Sequence, residues 1–172
     1  MRTRVGYAGG QLLDPTYHFM GDHSEAFQLD FDPRIVSYDE LLATFWASHA
    51  PNRASRSRQY MAAVFCEDEQ QLERANASRA RLGTTVETPV IAGARFYLAE
   101  DYHQKYYLRH HALMRELASY SPRQLVDSTV AARLNGYVAG RGTLARLREE
   151  LADFGLSRTA SEQLERLVAS RR

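Results

Sequence analysis

Three glycines close together, Gly6, Gly9 and Gly10, followed by an alternating strand, constrain this chain more than any other feature. Glycines spaced so tightly mark backbone that must turn sharply or approach another group closely. Residues 2–8, running into that turn, read as a strand with Thr3, Val5 and Tyr7 on one side. Asp14-Pro15 starts a second turn, because proline fixes φ and pushes the residue before it towards an extended conformation. Residues 25–31 then alternate, with Glu25, Phe27, Leu29 and Phe31 facing one way and Ala26, Gln28 and Asp30 the other. Glu25 is thus a carboxylate at the head of an apolar row. If that face packs inward, desolvation should favour the protonated acid and make Glu25 a proton donor near neutral pH. The competing reading is a carboxylate solvated at a strand end. With Tyr17 nearby, the arrangement is site-like.

The rest of the chain alternates helical and extended patterns. Ser37-Tyr-Asp-Glu40 is a capping box, and the apolar spacing behind it predicts an amphipathic helix over 38–49, ended by Pro51. Gln59 to Cys66 is apolar on both faces and reads as a central strand. Asp68 to Leu82 reads as a polar surface helix stopped by Gly83. Thr85 to Glu100 is a strand pair or one long strand, restricted by Pro89 and Gly93. Asp101 to about Ser119 reads as one helix opened by Asp101-Tyr-His-Gln104, with Tyr106, His110, Leu113, Met114 and Leu117 as its inner stripe. Pro122 sits at a first helical position, Leu125 to Leu134 continue the helix, and Asn135-Gly136 stops it. Gly136 to Gly142 reads as a glycine-rich loop. Thr143 caps a charged helix to Phe154-Gly155, and 157–172 suggest one more, arginine-rich helix. The domain reading is an α+β domain over 1–120 with a helical extension over 121–172.

Composition excludes several function classes. A formal net charge of +1, from 22 basic and 21 acidic residues, argues against a nucleic-acid or membrane-surface partner. No apolar run reaches the length of a membrane span and the N-terminus carries no signal-like apolar segment, so a cytoplasmic location is expected. A single cysteine, Cys66, excludes an internal disulfide, a redox pair and a cysteine zinc cluster.

Val5-Gly-Tyr-Ala-Gly-Gly10, Pro15-Thr-Tyr17, Gly21-Asp-His-Ser-Glu25-Ala, Phe31-Asp-Pro33, Ile35-Val-Ser-Tyr38, Leu41-Leu42 and Phe45-Trp46 resemble the A-type peptide-methionine sulfoxide reductases. Arg58-Gln-Tyr60 and Ala99-Glu-Asp-Tyr-His-Gln104 look like the same family, so the resemblance covers roughly residues 2–110. It implies a ferredoxin-like two-layer sandwich, a small mixed sheet covered by helices and here missing its first strand and helix. It implies thiol-dependent reduction of methionine-S-sulfoxide in oxidised peptides or proteins, with no bound cofactor and a thioredoxin-like reductant as partner. By the resemblance Glu25 matches the proton donor, and Tyr17 and Tyr60 match the two tyrosines that hold the sulfoxide oxygen. Counting back from Gln59-Tyr60 puts Ser55 where the family usually has an aspartate.

The family's nucleophilic cysteine lies in a Gly-Cys-Phe-Trp motif within the preceding strand and helix, and this sequence has no such motif. Its C-terminal recycling cysteines are absent too, so turnover would need an external thiol. The competing expectations are a truncated product of a complete enzyme and a catalytically inactive member that binds methionine sulfoxide or a protein partner. Met1-Arg-Thr-Arg-Val5 begins mid-strand, which favours the first. Cys66 ends an apolar strand beside Glu67, Asp68 and Glu69, which would raise its thiol pKa, so it reads as structural. His18, His23 and Glu25 lack a fourth ligand for a metal site, and adjacent His110-His111 face different directions on a helix. Arg53, Arg56 and Arg58 read as a solvated basic loop. The Gly136–Gly142 run is no phosphate loop, since no Lys-Ser/Thr follows Gly142. Phe45 and Trp46 fit a methyl-binding wall and the core equally well.

Overall fold

The computed structural model describes residues 1–170. The architecture is α+β, and the chain divides into two compact units, Val5–Glu100 and Met1–Arg4 with Asp101–Arg172. Strands β1 (Arg2–Ala8, of which Val5–Ala8 belong to the first unit), β2 (Ser24–Asp30) and β5 (Phe96–Leu98) form one sheet in the order β2-β1-β5. β1 and β5 run antiparallel, with Gly6 opposite Leu98 and Ala8 opposite Phe96. A β-carbon on Gly6 would stand 2.1 Å from the Tyr97 carbonyl oxygen, so close pairing there requires glycine.

β3 (Val64–Cys66) and β4 (Val90–Ala92) make a second, parallel sheet. Helix α2 (Glu69–Ala80) is the crossover that parallel strands need, capped by Asp68, whose side chain accepts from Gln71 N. Helix α1 (Tyr38–Ala47) starts at the expected capping box of Ser37 and Glu40. Leu42 and Trp46 of α1, Cys66 of β3 and Ala75 of α2 bury together in one core. The Trp46 indole donates to Ser78 Oγ at 2.8 Å.

Two strand expectations are corrected. The strand over 59–66 is only three residues long and lies at the edge of a two-stranded sheet. Ahead of it the carbonyls of Arg58 and Gln59 accept from Ser24 Oγ and Glu25 N, and pairing with β4 begins only where Val64 N finds Pro89 O. Residues 85–100 hold two strands that belong to different sheets, because Gly93, at φ +65°, turns the chain between them.

The second unit is helical. Its core joins Leu108, Leu113, Leu117, Leu125, Leu134, Leu147 and Leu164, all 3% exposed or less. The single helix expected over 101–119 is instead a 3₁₀ turn (Asp101–His103), a short helix α3 (Tyr106–Arg109) and a 3₁₀ stretch (Ala112–Leu117). Lys105 breaks it. Its backbone is left-handed at φ 53°, and its Nζ donates to the carbonyls of Thr3 and Val126. The buried stripe is therefore Leu108, Leu113 and Leu117, while Tyr106 and His110 are exposed.

Helices α4 (Pro122–Asp127) and α5 (Thr129–Val138) are separated at Ser128, which is extended and caps Ala131 N. Asn135-Gly136 does not stop α5. Burial of Tyr137 and Val138 carries the helix past the glycine, whose cost is about 1 kcal/mol, and Asn135 Oδ1 accepts from Leu108 N. Helix α6 (Leu144–Glu150), capped by Thr143, continues as a 3₁₀ turn to Phe154, and Gly155 is left-handed as a stop residue should be. Helix α7 (Arg158–Ala169) realises the last expected helix up to Ala169; Arg171 and Arg172 lie outside the described residues.

Candidate active site

The glycine turn after β1 is held by three side chains. A β-carbon on Gly10 would fall 2.5 Å from Asp22 Oδ1 and 2.6 Å from the His23 ring, and one on Gly9, at φ +84°, would fall 2.7 Å from Phe65. Asp22 accepts from the backbone N–H of Gln11 at 2.8 Å, and this hydrogen bond holds its carboxyl below the usual range. His23 is buried; its Nδ1 accepts from Gly10 N and its Nε2 lies 2.8 Å from the Leu12 carbonyl, which fixes the proton on Nε2. Both ring nitrogens serve backbone, which removes His23 from the His18–His23–Glu25 metal alternative. Among the described residues no group of three or more His, Cys, Asp or Glu side chains could hold a metal ion. Arg58, read as part of a solvated loop, instead donates to Gly9 O at 2.7 Å and to Asp22 O at 3.1 Å.

That clamp sets the register of Glu25. Ser24 Oγ donates to Arg58 O, Glu25 N donates to Gln59 O at 2.8 Å, and Gln59 Nε2 returns a bond to Glu25 Oε1 at 2.9 Å. Glu25 is therefore tied on backbone and side chain to the residue before Tyr60. The expectation of an inward-packed row is corrected. Glu25 is exposed, and Phe27 below it is 65% exposed, so the condition for desolvating the acid is not met.

Tyr60 is 64% and Tyr17 40% exposed. Tyr17 is placed by Glu100, whose Oε1 accepts from Tyr17 N and whose Oε2 accepts from the buried Tyr7 hydroxyl at 2.7 Å. Sequence reading did not single out Glu100. Its signal was present in the Ala99-Glu-Asp-Tyr-His-Gln104 run, but nothing local tells a strand-end carboxylate that it will meet two tyrosines distant in sequence.

Beside Glu25 opens a cleft of about 320 Å³. Glu25, Phe27, Tyr38, Phe45, Met61 and Phe65 are among its lining residues, whereas Tyr17 and Tyr60 are not. Phe45 and Trp46 are thereby separated, the first on the cleft and the second in the core. Cys66 is 1% exposed, with Sγ 3.9 Å from the Tyr38 hydroxyl, and burial pushes its thiol up, with a smaller contribution from Asp68. A thiol so held is a poor nucleophile. Ser55 Oγ donates to Ser57 O within its own loop. No helix of the described residues is long and apolar enough to cross a membrane.

Comparison with known proteins gives one consistent answer. Residues 1–133 match the family described as peptide methionine sulfoxide reductase. A peptide methionine sulfoxide reductase of Drosophila melanogaster is 39% identical over 165 residues, covering 92% of this chain and 67% of that protein. Peptide methionine sulfoxide reductase A5 of Arabidopsis thaliana is 35% identical over 150 residues, covering 81% of this chain and 59% of its own length. A reductase of Methanococcoides burtonii named MsrA is 37% identical over 120 residues. The chain thus spans about three fifths of the plant relative's length and two thirds of the fly relative's.

Proposed function

The chain belongs to the peptide methionine sulfoxide reductase family, and from that premise we propose that it serves the thiol-dependent reduction of methionine-S-sulfoxide in oxidised peptides and proteins. Glu25 gives a proton to the departing sulfoxide oxygen, and Tyr17 and Tyr60 hold that oxygen. A thiolate attacks the sulfoxide sulfur; the sulfur–oxygen bond passes its oxygen to the thiol as a sulfenic acid, and methionine leaves reduced. Two reductant thiols then return the sulfenic acid to thiol, releasing water and forming a disulfide, which suits a thioredoxin-like partner in the cytoplasm. The observation that carries the reading is the double tie between Glu25 and Gln59, which joins an exposed carboxylate on the lining of a cleft to the residue before Tyr60. The attacking thiol is one other than Cys66, which is buried and disfavoured as thiolate. The family's ferredoxin-like layering goes with this reading, supported by two small sheets and the packing of α1 and α2 in one core with β3.

Binding and turnover of methionine-S-sulfoxide and methionine-R-sulfoxide peptides, with excess dithiothreitol, test the reading. The S-epimer should bind in preference, Glu25→Gln should abolish any turnover, and Cys66→Ala should leave it unchanged. Equal binding of both epimers would refute the substrate assignment. The second reading, a module that binds the sulfoxide without reducing it, is favoured by the burial of the sole cysteine. It predicts S-selective binding with no turnover.

A further inference from the structure

A second cavity, of about 350 Å³, adjoins the cleft beside Glu25, and Met61 and Ala62 line both. No residue of β2 lines it; its opposite wall is Glu87, Thr88 and Pro89, which lead into β4. It forms where the segments approaching β3 and β4 have yet to pair, since the first paired residues are Val64 and Val90. The loop after Pro51 closes it. Pro51 O accepts from the backbone N–H groups of Glu87 and Thr88, and Ser55 Oγ donates to Ser57 O. Arg58 is pinned where its Nε donates to Asp22 O and its Nη2 to Gly9 O. Every lining residue lies within 53–62 or 87–89, all in one compact unit.

We propose that this cavity takes the acidic side chain of a glutamate or aspartate neighbouring the oxidised methionine in a substrate peptide. Its charged lining residues are Arg53, Arg58 and Glu87, two positive and one negative, which leaves a net charge of +1. A monovalent carboxylate balances that charge, whereas a doubly charged phosphate would leave an excess beside Glu87. Arginine also matches a carboxylate in geometry, through parallel N–H bonds. Arg58 spends two of its five N–H donors on carbonyls, which fixes its plane and leaves three for a ligand. Ser55 and Ser57 add hydroxyls to the lining, while Met61, Ala62 and Pro89 offer an apolar wall to side-chain methylenes. Arg58 and Met61 flank Gln59-Tyr60 in sequence. One or two residues of extended chain span about 3–7 Å, so the acidic residue belongs one or two positions from the methionine. The proposal rests on the reductase reading only in seating the oxidised methionine at Glu25 and Tyr60.

Titration calorimetry on the 172-residue chain tests it with the end-capped peptide Ala-Glu-Met-Glu-Ala, its methionine present as either sulfoxide epimer. The same peptide with glutamine in both flanking places is the control. The glutamate S-sulfoxide peptide should bind about fivefold tighter than the glutamine one, and high salt should shrink that gain. Arg53→Gln, at an exposed position, should remove the gain, and Glu87→Gln, which deletes a like charge, should increase it about twofold. Neither substitution should alter binding of the glutamine peptide. No binding of the glutamate peptide, equal binding of the two peptides, or a gain that survives Arg53→Gln would overturn the proposal. A gain abolished by inorganic phosphate but not by equal acetate would make this a phosphate site and overturn the carboxylate assignment. Glutamate preference without preference for the S-epimer would remove the reductase reading and leave the acidic pocket ligand standing. Preference for the S-epimer without glutamate preference would do the reverse.

Discussion

The two compact units of this chain are stabilised in contrasting ways. Within Asp101–Arg172 one continuous cluster of leucines, with Tyr137 and Phe154, is sealed from water. Within Val5–Glu100 the buried apolar clusters are smaller, and much of the order comes from polar side chains that seize backbone: Asp22 on Gln11, His23 on Gly10 and Leu12, Arg58 on Gly9. That unit also leaves a cleft and large exposed apolar side chains such as Phe27. The difference separates stability from recognition. A leucine core tolerates no opening, whereas a backbone clamp can hold an acid and a tyrosine in place while the neighbouring surface stays open.

The contrast can be broken most severely in the helical core. Leu134→Ala should cost about 3 kcal/mol, because a fully buried side chain leaves a cavity, read as loss of helical signal at lower urea. A smaller loss, about 2 kcal/mol, should follow Gly6→Ala, where the new methyl meets the Tyr97 carbonyl in the β1–β5 pair.

Lys105→Met sharpens the comparison through pH. Burial, followed by repulsion from Arg4, pushes the Lys105 ammonium down to about 8; Arg109 adds to this and Asp127 opposes it. Below pH 8 both folded and unfolded chains carry that proton. Between about pH 8 and 10.5 the unfolded chain holds more of it, so this group makes stability rise with pH across that window. Urea titrations of the wild type minus those of Lys105→Met should show the rise; a flat difference would mean Lys105 is not desolvated in solution. The smallest effect is expected for Phe27→Ser, which should change stability by no more than about 0.5 kcal/mol because the side chain is exposed. A loss as large as that of Leu134→Ala would place Phe27 in the core.

Local signals in the sequence were sufficient wherever a few neighbouring residues carry the physics. The Ser37–Glu40 capping box, the Thr143 cap, the strand over residues 2–8 and the stop at Gly155 all formed as read. The family was legible because whole motifs stand in order along the chain. Partners far apart in sequence were not. Lys105 breaks an expected helix because Thr3 and Val126 offer carbonyls to its ammonium. Residues 59–63 are no strand because Ser24 and Glu25 take the carbonyls of Arg58 and Gln59. Gly136 stays helical because the core needs Tyr137 and Val138.

The sequence by itself thus determined the α+β class, the family and most helix starts, since capping, alternation and motif order act over a few residues. Only the tertiary structure decided that Glu25 faces solvent and that Phe45 lines a cleft while Trp46 does not. Burial and edge pairing depend on what the rest of the chain brings alongside, and local periodicity carries no record of that.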